Sequence, residues 1–360
     1  MLKIISVVGA RPQFIKCATI CKTISEKYFA EIDQIIVHTG QHYDEKMSAE
    51  LFKVLNIPSP KFNLGINNLS HGAMTARMIE GLEKVFITEK PDWVLVYGDT
   101  NSTLAGALAA SKLKIKIAHI EAGLRSNNMN MPEEINRILT DRVSSLLFCP
   151  TQNAVENLFS EGYGRFSNVD IVNVGDIMYE SALRFSKKSK LLNLRFKTKK
   201  SNYILATLHR DEITTNKNKL ISVLSALNKI SESSQVIAPF HPRTIESIKK
   251  YKIHLNFNVI PPVSYLEMLW LIDNSKIVLT DSGGLQKEAF FFKKVCLIVR
   301  EETEWIELLQ TGNSKLVGYD TNKILSEYCS STNFIPCDNF YGNGNTSKLI
   351  INSLINYKDK

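Results

Sequence analysis

Short apolar runs alternate with amphipathic segments along most of this chain. The runs Ile4–Val8, Trp93–Tyr97 and Ile117–Ile120 are typical, and helical patterns such as Met74–Glu89 and Thr103–Lys112 lie between runs. This alternation predicts a parallel α/β sheet whose strands are connected by helices. The chain has 360 residues, which is too long for one ordinary domain. We therefore expect two domains of about 150–200 residues each.

The alternation is interrupted at residues 186–202, which are rich in Lys and Ser, and it resumes at Tyr203–Leu208. Further apolar runs follow at Val236–Phe240 and Ile277–Thr280, so the second half predicts a second Rossmann-like unit. Near the end, Ser347–Tyr357 carries its apolar residues on one stripe. This pattern predicts a helix that could cap either domain.

The net charge of +8 is compatible with nucleic acid, a membrane or an anionic small ligand. The densest basic patch consists of Lys187, Lys188, Lys190, Arg195, Lys197, Lys199 and Lys200. We interpret this patch as a solvated linker, because no nucleic-acid-binding motif accompanies it. The charge alone therefore predicts no nucleic-acid partner.

The cysteines and the N-terminus indicate a reducing compartment. The six cysteines include no CxxC pair, and most lie in apolar runs, as reduced core cysteines do. Cys17 and Cys21 share a helix face, which we interpret as packing and not as metal binding. The chain enters its first strand at Lys3 without a secretory signal. No apolar run approaches the roughly 18 residues of a membrane span, so we expect a cytoplasmic protein without a membrane partner.

Polar residues that follow strands are the candidates for chemistry, because ligands of such sheets bind beyond the carboxyl ends of the strands. Arg11 and Lys16 follow the first strand and would face an anion at a helix N-terminus. A basic surface turn explains them equally well. Asp99 follows the strand Trp93–Tyr97. Its alternative interpretation is the N-cap of the next helix.

Two more acidic residues lie in similar places. Glu121 ends an otherwise apolar strand, which is costly unless the carboxylate is paired, and Arg125 is the structural partner that we expect. Glu133 lies in the first turn of a helix that Pro132 begins, and it shares a helix face with Arg137. A well-formed helix N-terminus is the alternative explanation for Glu133.

The second half offers histidines and a glycine-rich turn. His209 follows one strand, and His241 with Arg243 follows another. The strand Ile277–Thr280 leads into a turn and helix start that contain Ser282, Gly283, Gly284, Gln286, Lys287 and Glu288. Paired glycines let a backbone approach a phosphate closely, and Glu288 would reach ribose hydroxyls. The dinucleotide pattern GxGxxG is absent, which disfavours a nicotinamide cofactor.

At these positions the sequence resembles the non-hydrolysing UDP-N-acetylglucosamine 2-epimerase family. The shared motifs span nearly the whole chain: GARPQFIK, YGDTNSTLAG, HIEAGLRS, MPEEINRILTD, HPR, TDSGGLQKEA and REETEW. The resemblance implies an α/β fold of two Rossmann-like domains whose parallel sheets face each other across a cleft, the GT-B architecture. It also implies a homodimer that binds a UDP-sugar and needs no redox cofactor and no metal.

The resemblance further implies a division of labour. Residues 1–170 would form the N-terminal domain with the acid–base residues, and residues 171–345 the UDP-binding domain, with helix 346–360 packing back on the first. The acid–base residues of the family correspond to Asp99, Glu121 and Glu133, and its active-site histidine corresponds to His209. Its UDP contacts correspond to Arg11, Lys16, Arg137, His241, Ser282, Gly283, Gly284 and Glu288. We add Arg243, Gln286 and Lys287, which adjoin these positions, to the predicted substrate-binding set.

Within the family, SNNMNMPEEINR, LQKEAFFF and TEW resemble the branch that epimerises UDP-2,3-diacetamido-2,3-dideoxy-glucuronic acid. Lys287 stands where the UDP-N-acetylglucosamine branch has Glu, and either Lys287 or Arg243 could balance a sugar carboxylate at C6. Alternatively, both could face solvent or pair with local acids.

The UDP-N-acetylglucosamine branch also has an Arg-Gln pair that helps to bind an activating second substrate molecule. This chain has Leu69–His71 at about that place, so we do not expect that activation here.

In the family, UDP leaves C1 while a carboxylate removes the C2 proton, and UDP then adds back to the resulting glycal after protonation on the opposite face. Such chemistry serves the synthesis of bacterial surface polysaccharides, including lipopolysaccharide.

A GT-B glycosyltransferase would share the fold and the UDP site without needing all three acids. A hydrolysing 2-epimerase would release UDP and free sugar, and a non-enzymatic UDP-sugar sensor would catalyse no exchange at C2.

Overall fold

The structure is a computed structural model that describes residues 1–41, 51–189, 203–331 and 333–358. The chain forms two compact units, Met1–Leu183 together with Asn339–Lys360, and Arg184–Asp338. Most of the basic patch that the sequence indicated falls within 190–202, outside the described residues.

Each unit is built on one parallel sheet, which confirms the predicted fold class of two α/β domains. Among the described residues, the first sheet has seven strands in the order β3-β2-β1-β4-β5-β6-β7, and the second has six in the order β10-β9-β8-β11-β12-β13. The strands of the first sheet are β1 (Leu2–Val8), β2 (Ile32–His38), β3 (Phe62–Asn63), β4 (Trp93–Tyr97), β5 (Lys116–Ile120), β6 (Leu146–Cys149) and β7 (Asp170–Asn173). Those of the second are β8 (Tyr203–Thr207), β9 (Gln235–Pro239), β10 (Asn258–Ile260), β11 (Ile277–Thr280), β12 (Val295–Ile298) and β13 (Ser314–Leu316).

Helices connect the strands. In chain order they are α1 (Arg11–Thr23), α2 (His71–Glu89), α3 (Asn101–Lys112), α4 (Pro132–Val143), α5 (Gln152–Ser160), α6 (Ile177–Ser189), α7 (Asp211–Thr214), α8 (Lys217–Ser231), α9 (Pro242–Lys250), α10 (Tyr265–Asp273), α11 (Gly283–Phe291), α12 (Ile306–Gln310), α13 (Thr321–Ser330) and α14 (Thr346–Ile355). Residues 51–55 are also helical. A π-helical turn, Ile24–Tyr28, continues α1, and Tyr163–Arg165 forms a 3₁₀ turn.

The central strands are largely apolar because helices cover both faces of each sheet. Every residue of β4 is buried. On one face of the first sheet, Val94 and Val96 pack with Met78 and Leu82 of α2. The continuous apolar runs that predicted the strands therefore reflect burial on both sides.

The boundary between the units lies further along the chain than predicted. The predicted first domain ended at residue 170, but β7 pairs in parallel with β6 and thus completes the first sheet. The first unit continues into α6 and ends at Leu183, and the chain returns to it at Asn339 instead of residue 346. The strand-like run 171–174 was assigned to the wrong domain because an edge strand resembles the first strand of a new sheet.

Buried hydrogen bonds attach α14 to the first unit. The backbone N–H of Ser347 donates to Glu180 Oε2 (2.7 Å), and its hydroxyl lies 2.6 Å from Glu180 Oε1. The same hydroxyl lies 2.7 Å from Thr23 Oγ1 at the end of α1. Glu180 and Ser347 are both fully buried, and Ser347 supplies two of the donors that this carboxylate needs.

Within the described ranges, no helix combines the length and the apolarity that crossing a bilayer requires.

We predict that Ser347→Ala destabilises the first unit by about 1–3 kcal/mol, because it removes a donor from a buried carboxylate. Urea unfolding measures the loss, and hydrogen–deuterium exchange of the α14 peptide reports it locally. Ser353→Ala is the control on the same helix, since the exposed Ser353 hydroxyl donates only to the backbone carbonyl of Leu349. Equal effects of the two substitutions would contradict the assigned role of Ser347.

Candidate active site

The candidate residues of the first unit follow three neighbouring strands. β1, β4 and β5 are adjacent in the sheet, and their carboxyl ends lie at one edge. Lys16 belongs to the helix after β1, Asp99 follows β4, and Glu121 follows β5. The topology thus brings these three side chains to one edge of the sheet, where ligands of such sheets bind.

Gln13 joins the turns after β1 and β4. Its Oε1 accepts hydrogen bonds from the backbone N–H of Gly9 (2.8 Å) and Ala10 (3.0 Å). Its Nε2 donates to the carbonyl of Tyr97 (2.9 Å) and to Thr103 Oγ1 (2.9 Å). This buried side chain therefore holds the start of α1 against the end of β4.

Glu121 forms an ion pair with Lys16. Lys16 is buried, and Glu121 is half-buried. The backbone of Glu121 is in the left-handed region at φ 75°, where an L side chain is strained. This backbone directs the Glu121 carboxylate at the buried ammonium group of Lys16. Backbone strain of this kind is common at functional positions.

The expected pairing of Glu121 with Arg125 is wrong. Arg125 donates through Nη1 to Asp141 (2.8 Å) and through Nε to Glu161 (2.6 Å). The turn after β5 directs the two side chains to different neighbours, so Glu121 pairs with Lys16 and not with Arg125.

Asp99 forms an ion pair with Arg137 of α4. Its backbone carbonyl also accepts a hydrogen bond from Asn136 Nδ2 (2.9 Å). The N-cap of α3 is Thr100, whose hydroxyl accepts from the N–H of Thr103, so the interpretation of Asp99 as the cap is wrong. The Asp99 carboxylate is therefore available for other chemistry.

Glu133 lies in the first turn of α4 and is exposed. Arg137 does not pair with it but donates through Nη1 to the buried Glu134 (3.0 Å) and through Nη2 to Asp99. Among the described residues Glu133 has neither a hydrogen-bond partner nor an ion-pair partner. Arg11, at the start of α1, is half-buried.

His209 of the second unit is coupled to a buried carboxylate. Its Nδ1 lies 2.8 Å from Asp281 Oδ1, and the backbone N–H groups of His209 and Arg210 donate to Asp281 Oδ2 at 2.7 and 2.8 Å. Burial would raise the pKa of Asp281, but the hydrogen bond and charge of His209, with the two backbone donors, hold that pKa below its usual value. The ionised Asp281 therefore fixes the ring, whose side chain is 49% exposed and can present Nε2 to a ligand.

The start of α11 is shaped by its two glycines. Ser282 caps the helix by accepting from the N–H of Leu285 (3.4 Å). A Cβ at Gly283 would clash with the Glu304 carboxylate, whereas a Cβ at Gly284 would meet nothing within 4 Å. The helix N-terminus is therefore closed on the Gly283 side and open on the Gly284 side, where its N–H groups can receive an anion.

The other predicted residues of α11 are buried. Gln286 accepts a hydrogen bond from the Thr303 hydroxyl (2.6 Å), and Lys287 places its ammonium group 3.9 Å from the centre of the Trp305 ring. Glu288 is 6% exposed. Gln286 and Lys287 thus contact the segment that carries Glu304 and support the shape of the helix start.

His241 and Arg243 begin α9 and are exposed. His241 caps the helix through Nδ1, which accepts from the N–H of Arg243 (3.3 Å). Arg243 forms an exposed ion pair with Asp211. The alternative in which Arg243 pairs with a local acid is therefore the one that the structure contains.

The described part of the chain contains no group of three or more His, Cys, Asp and Glu side chains that could hold a metal ion.

Three residues of the site were not among the predicted ones. Asp281 follows β11 directly, as Asp99 follows β4, so its position after a strand was the available signal. Gln13 lies inside the first motif, but an amide gives no sign of which turns it will connect. Glu304 approaches Gly283 from a different loop, and no local pattern predicts that contact.

Comparison with known proteins agrees with this geometry. The profile of the UDP-N-acetylglucosamine 2-epimerase family matches residues 26–355. A UDP-2,3-diacetamido-2,3-dideoxy-D-glucuronate 2-epimerase of Pseudomonas aeruginosa is 50% identical over 97% of this chain and 98% of its own length. A UDP-N-acetylglucosamine 2-epimerase homologue of Methanococcus maripaludis is 46% identical over 99% of this chain and 100% of its own.

Solved structures show the same fold. The crystal structure of the Methanocaldococcus jannaschii UDP-N-acetylglucosamine 2-epimerase, in complex with UDP-N-acetylglucosamine and UDP, has a TM-score of 0.88 to this chain at 40% identity. The match covers 98% of this chain and 99% of that one. The resemblance predicted from the motifs is confirmed, and the chain belongs to the UDP-N-acetylglucosamine 2-epimerase family.

Proposed function

We propose that this protein is an isomerase that inverts C2 of UDP-2,3-diacetamido-2,3-dideoxy-glucuronate without net hydrolysis. The observation that carries the proposal is 50% identity, over 97% of the chain, to a relative named for this activity. The site supports the chemistry, because two carboxylates lie at the ends of adjacent strands in one unit and an open helix N-terminus lies in the other.

The first unit supplies acid–base groups. The C2 proton of an amino sugar is not adjacent to a carbonyl, so its removal must accompany departure of UDP from C1. Asp99 pairs with Arg137, and Glu121 pairs with Lys16, so a cation from another element holds each carboxylate. One carboxylate removes the C2 proton, and an acid on the opposite face donates a proton to the glycal. Glu133 is exposed in the first turn of α4, on the helix whose Arg137 holds Asp99, and serves as the third candidate acid.

The second unit supplies stabilisation for the departing nucleotide. Negative charge develops on the diphosphate as the C1–O bond breaks, and preorganised donors lower the energy of that charge. The N–H groups on the open Gly284 side of α11 are such donors. Nε2 of His209 donates to the departing oxygen when the ring is protonated, and the ionised Asp281 stabilises that charged ring.

UDP-N-acetylglucosamine is the second candidate substrate. The Methanococcus maripaludis relative, 46% identical, is named a homologue of the enzyme for that sugar. Arg243 pairs with Asp211, and Lys287 lies over Trp305, so both cations that could balance a sugar carboxylate have neighbours within the protein. Identity to the Pseudomonas aeruginosa relative, and not these cations, therefore favours the uronate.

We also propose that the protein works as a cytoplasmic homodimer in the synthesis of a bacterial surface polysaccharide such as lipopolysaccharide. The resemblance to the family supports the dimer. Ile135 and Leu139 lie one turn apart on α4 and are 39% and 43% exposed, which suits a surface that a second copy covers.

We predict that the product acquires deuterium at C2 when the diacetamido-glucuronate nucleotide is turned over in deuterated water. The C2 proton is transferred to a carboxylate, and this proton exchanges with solvent before the glycal is protonated. Proton NMR follows both the C2 signal and the configuration of the product. Inversion with full retention of the original proton would contradict the elimination route, and free UDP forming in step with product would indicate a hydrolysing enzyme.

We predict that kcat/KM for the uronate exceeds that for UDP-N-acetylglucosamine by about a thousandfold or more. A site that pairs a sugar carboxylate leaves its own buried polar groups unpaired when a neutral sugar binds. Initial rates with the two nucleotides under one set of conditions measure the ratio. A ratio near one would assign the protein to the UDP-N-acetylglucosamine enzymes.

We predict that Asp281→Asn lowers kcat by about a hundredfold or more, because the amide N–H donates to His209 Nδ1 and no carboxylate is left to stabilise the charged ring, so Nε2–H becomes a much weaker acid. The amide oxygen still accepts the backbone N–H groups, so unfolding should change less than activity. Asp320→Asn is the matched control, since Asp320 only caps α13 and Asn caps a helix equally well. A normal kcat in Asp281→Asn would show that His209 takes no part in the reaction.

A further inference from the structure

His119 lies in β5, between the turns that carry two of the candidate carboxylates, and is fully buried. Its Nε2 is 2.7 Å from the carbonyl oxygen of Gly98, and its Nδ1 is 2.6 Å from Asp141 Oδ1. A carbonyl oxygen only accepts hydrogen bonds, so Nε2 carries a proton and donates it to Gly98. This ring therefore bridges the turn after β4 and helix α4.

Asp141 accepts from the other side of the ring. Burial would raise the pKa of Asp141, but the hydrogen bonds and charges of His119 and Arg125 hold that pKa below its usual value. The Asp141 carboxylate accepts from Nδ1 at 2.6 Å. Both acceptors face the ring from opposite directions and fix its orientation.

The Gly98 peptide is held on both sides by β5. The ladder between β4 and β5 ends at the pair Tyr97–Ile120, and the N–H of Gly98 donates to the Ile120 carbonyl (2.9 Å). No further strand residue continues the ladder, so the ring of His119 supplies the donor for the Gly98 carbonyl. Gly98 has a φ of 63°, in the left-handed region, and Asp99 follows it directly.

The same network reaches the segment after Glu121. Asp141 Oδ2 accepts from the backbone N–H of Gly123 (3.2 Å) and from Arg125 Nη1 (2.8 Å). Glu121 lies between His119 and Gly123, and its backbone is strained at φ 75°. The strained turn is therefore held on both flanks by one buried His–Asp pair.

We infer that His119 is a positioning residue for the acid–base carboxylates of this enzyme: through Nε2 it fixes the Gly98 peptide and hence the direction of Asp99, and with Asp141 it fixes the turn of Glu121. The inference rests on the proposed epimerase function. A displacement of about 1 Å in such a group is enough to lower a rate by roughly a hundredfold. His119 itself acts only through these residues.

Two substitutions at this position separate the two hydrogen bonds. The amide nitrogen of Gln replaces Nε2 and keeps the donor to Gly98, while the amide nitrogen of Asn replaces Nδ1 and keeps the donor to Asp141. We expect His119→Gln to retain kcat within about tenfold and His119→Asn to lose about a hundredfold or more, with KM and the dissociation constant of UDP nearly unchanged in both. The readouts are steady-state rates with the diacetamido-glucuronate nucleotide and calorimetric titration with UDP.

Asp141→Asn tests the same idea without changing His119. The amide donates to Nδ1, so Nε2 keeps its proton and its bond to Gly98, although the charge pairing with Arg125 is lost. We expect a clearly less stable protein that retains kcat within about tenfold. If His119→Asn does not fold, His119→Gln and Asp141→Asn still decide the question, because a large loss of kcat in either would overturn the inference.

A control separates positioning from general loss of stability. Glu180→Gln disturbs another buried hydrogen-bonded carboxylate of the same unit, at Ser347, and should lower the melting temperature while leaving kcat unchanged. In the background of Asp99→Asn, His119→Asn should cost less than about threefold further, because coupled residues are not additive. Equal loss of kcat in His119→Gln and His119→Asn, or full additivity with Asp99→Asn, would overturn the inference. An inactive wild-type protein would instead overturn the proposed function.

Discussion

The parallel pairing of β1, β4 and β5 is the constraint on which the arrangement of the candidate carboxylates in the first unit depends. β4 pairs with β1 on one side and with β5 on the other, so the turns after the three strands emerge next to one another. Because side chains alternate along a strand, a shift of one residue in β5 would turn His119 to the opposite face of the sheet. The ladder therefore sets the positions of the carboxylates before any ligand binds.

Cations from other elements hold the two carboxylates at these turns. Glu121 pairs with Lys16 of α1, and Asp99 pairs with Arg137 of α4. A buried or half-buried charge is costly unless it is paired, so each ion pair removes a cost that the position would otherwise impose.

The elements could be predicted from the sequence more fully than their contacts. Continuous apolar runs gave the strands, and the residues after them gave Asp99, Glu121 and His209, because ligands of parallel sheets bind beyond the strand ends. Sequence spacing gave the wrong partners for Glu121 and Glu133. Spacing of four residues indicates proximity only within a regular helix, and Arg125 lies in an irregular turn.

Even within a helix, spacing does not identify which neighbour an arginine will reach. Arg137 is four residues from Glu133, but it points to the buried side of α4, where Glu134 and the Asp99 turn lie. The predicted boundary of the first unit was wrong for a related reason. The pairing of β7 with β6, and not the residues of β7 themselves, decides that β7 belongs to the first sheet. Contacts that join distant segments are invisible to local patterns.

The paired glycines of α11 show how much such a motif leaves undetermined. A side chain at Gly283 would displace the Glu304 carboxylate, which Arg300 Nη1 holds at 2.9 Å. Gly284 has no neighbour within 4 Å in the corresponding space. A Gly-Gly sequence predicts that another group, from the protein or from a ligand, approaches the backbone closely at both positions. Only the fold shows that at Gly283 the neighbour is the protein's own loop, whereas the corresponding space at Gly284 is open.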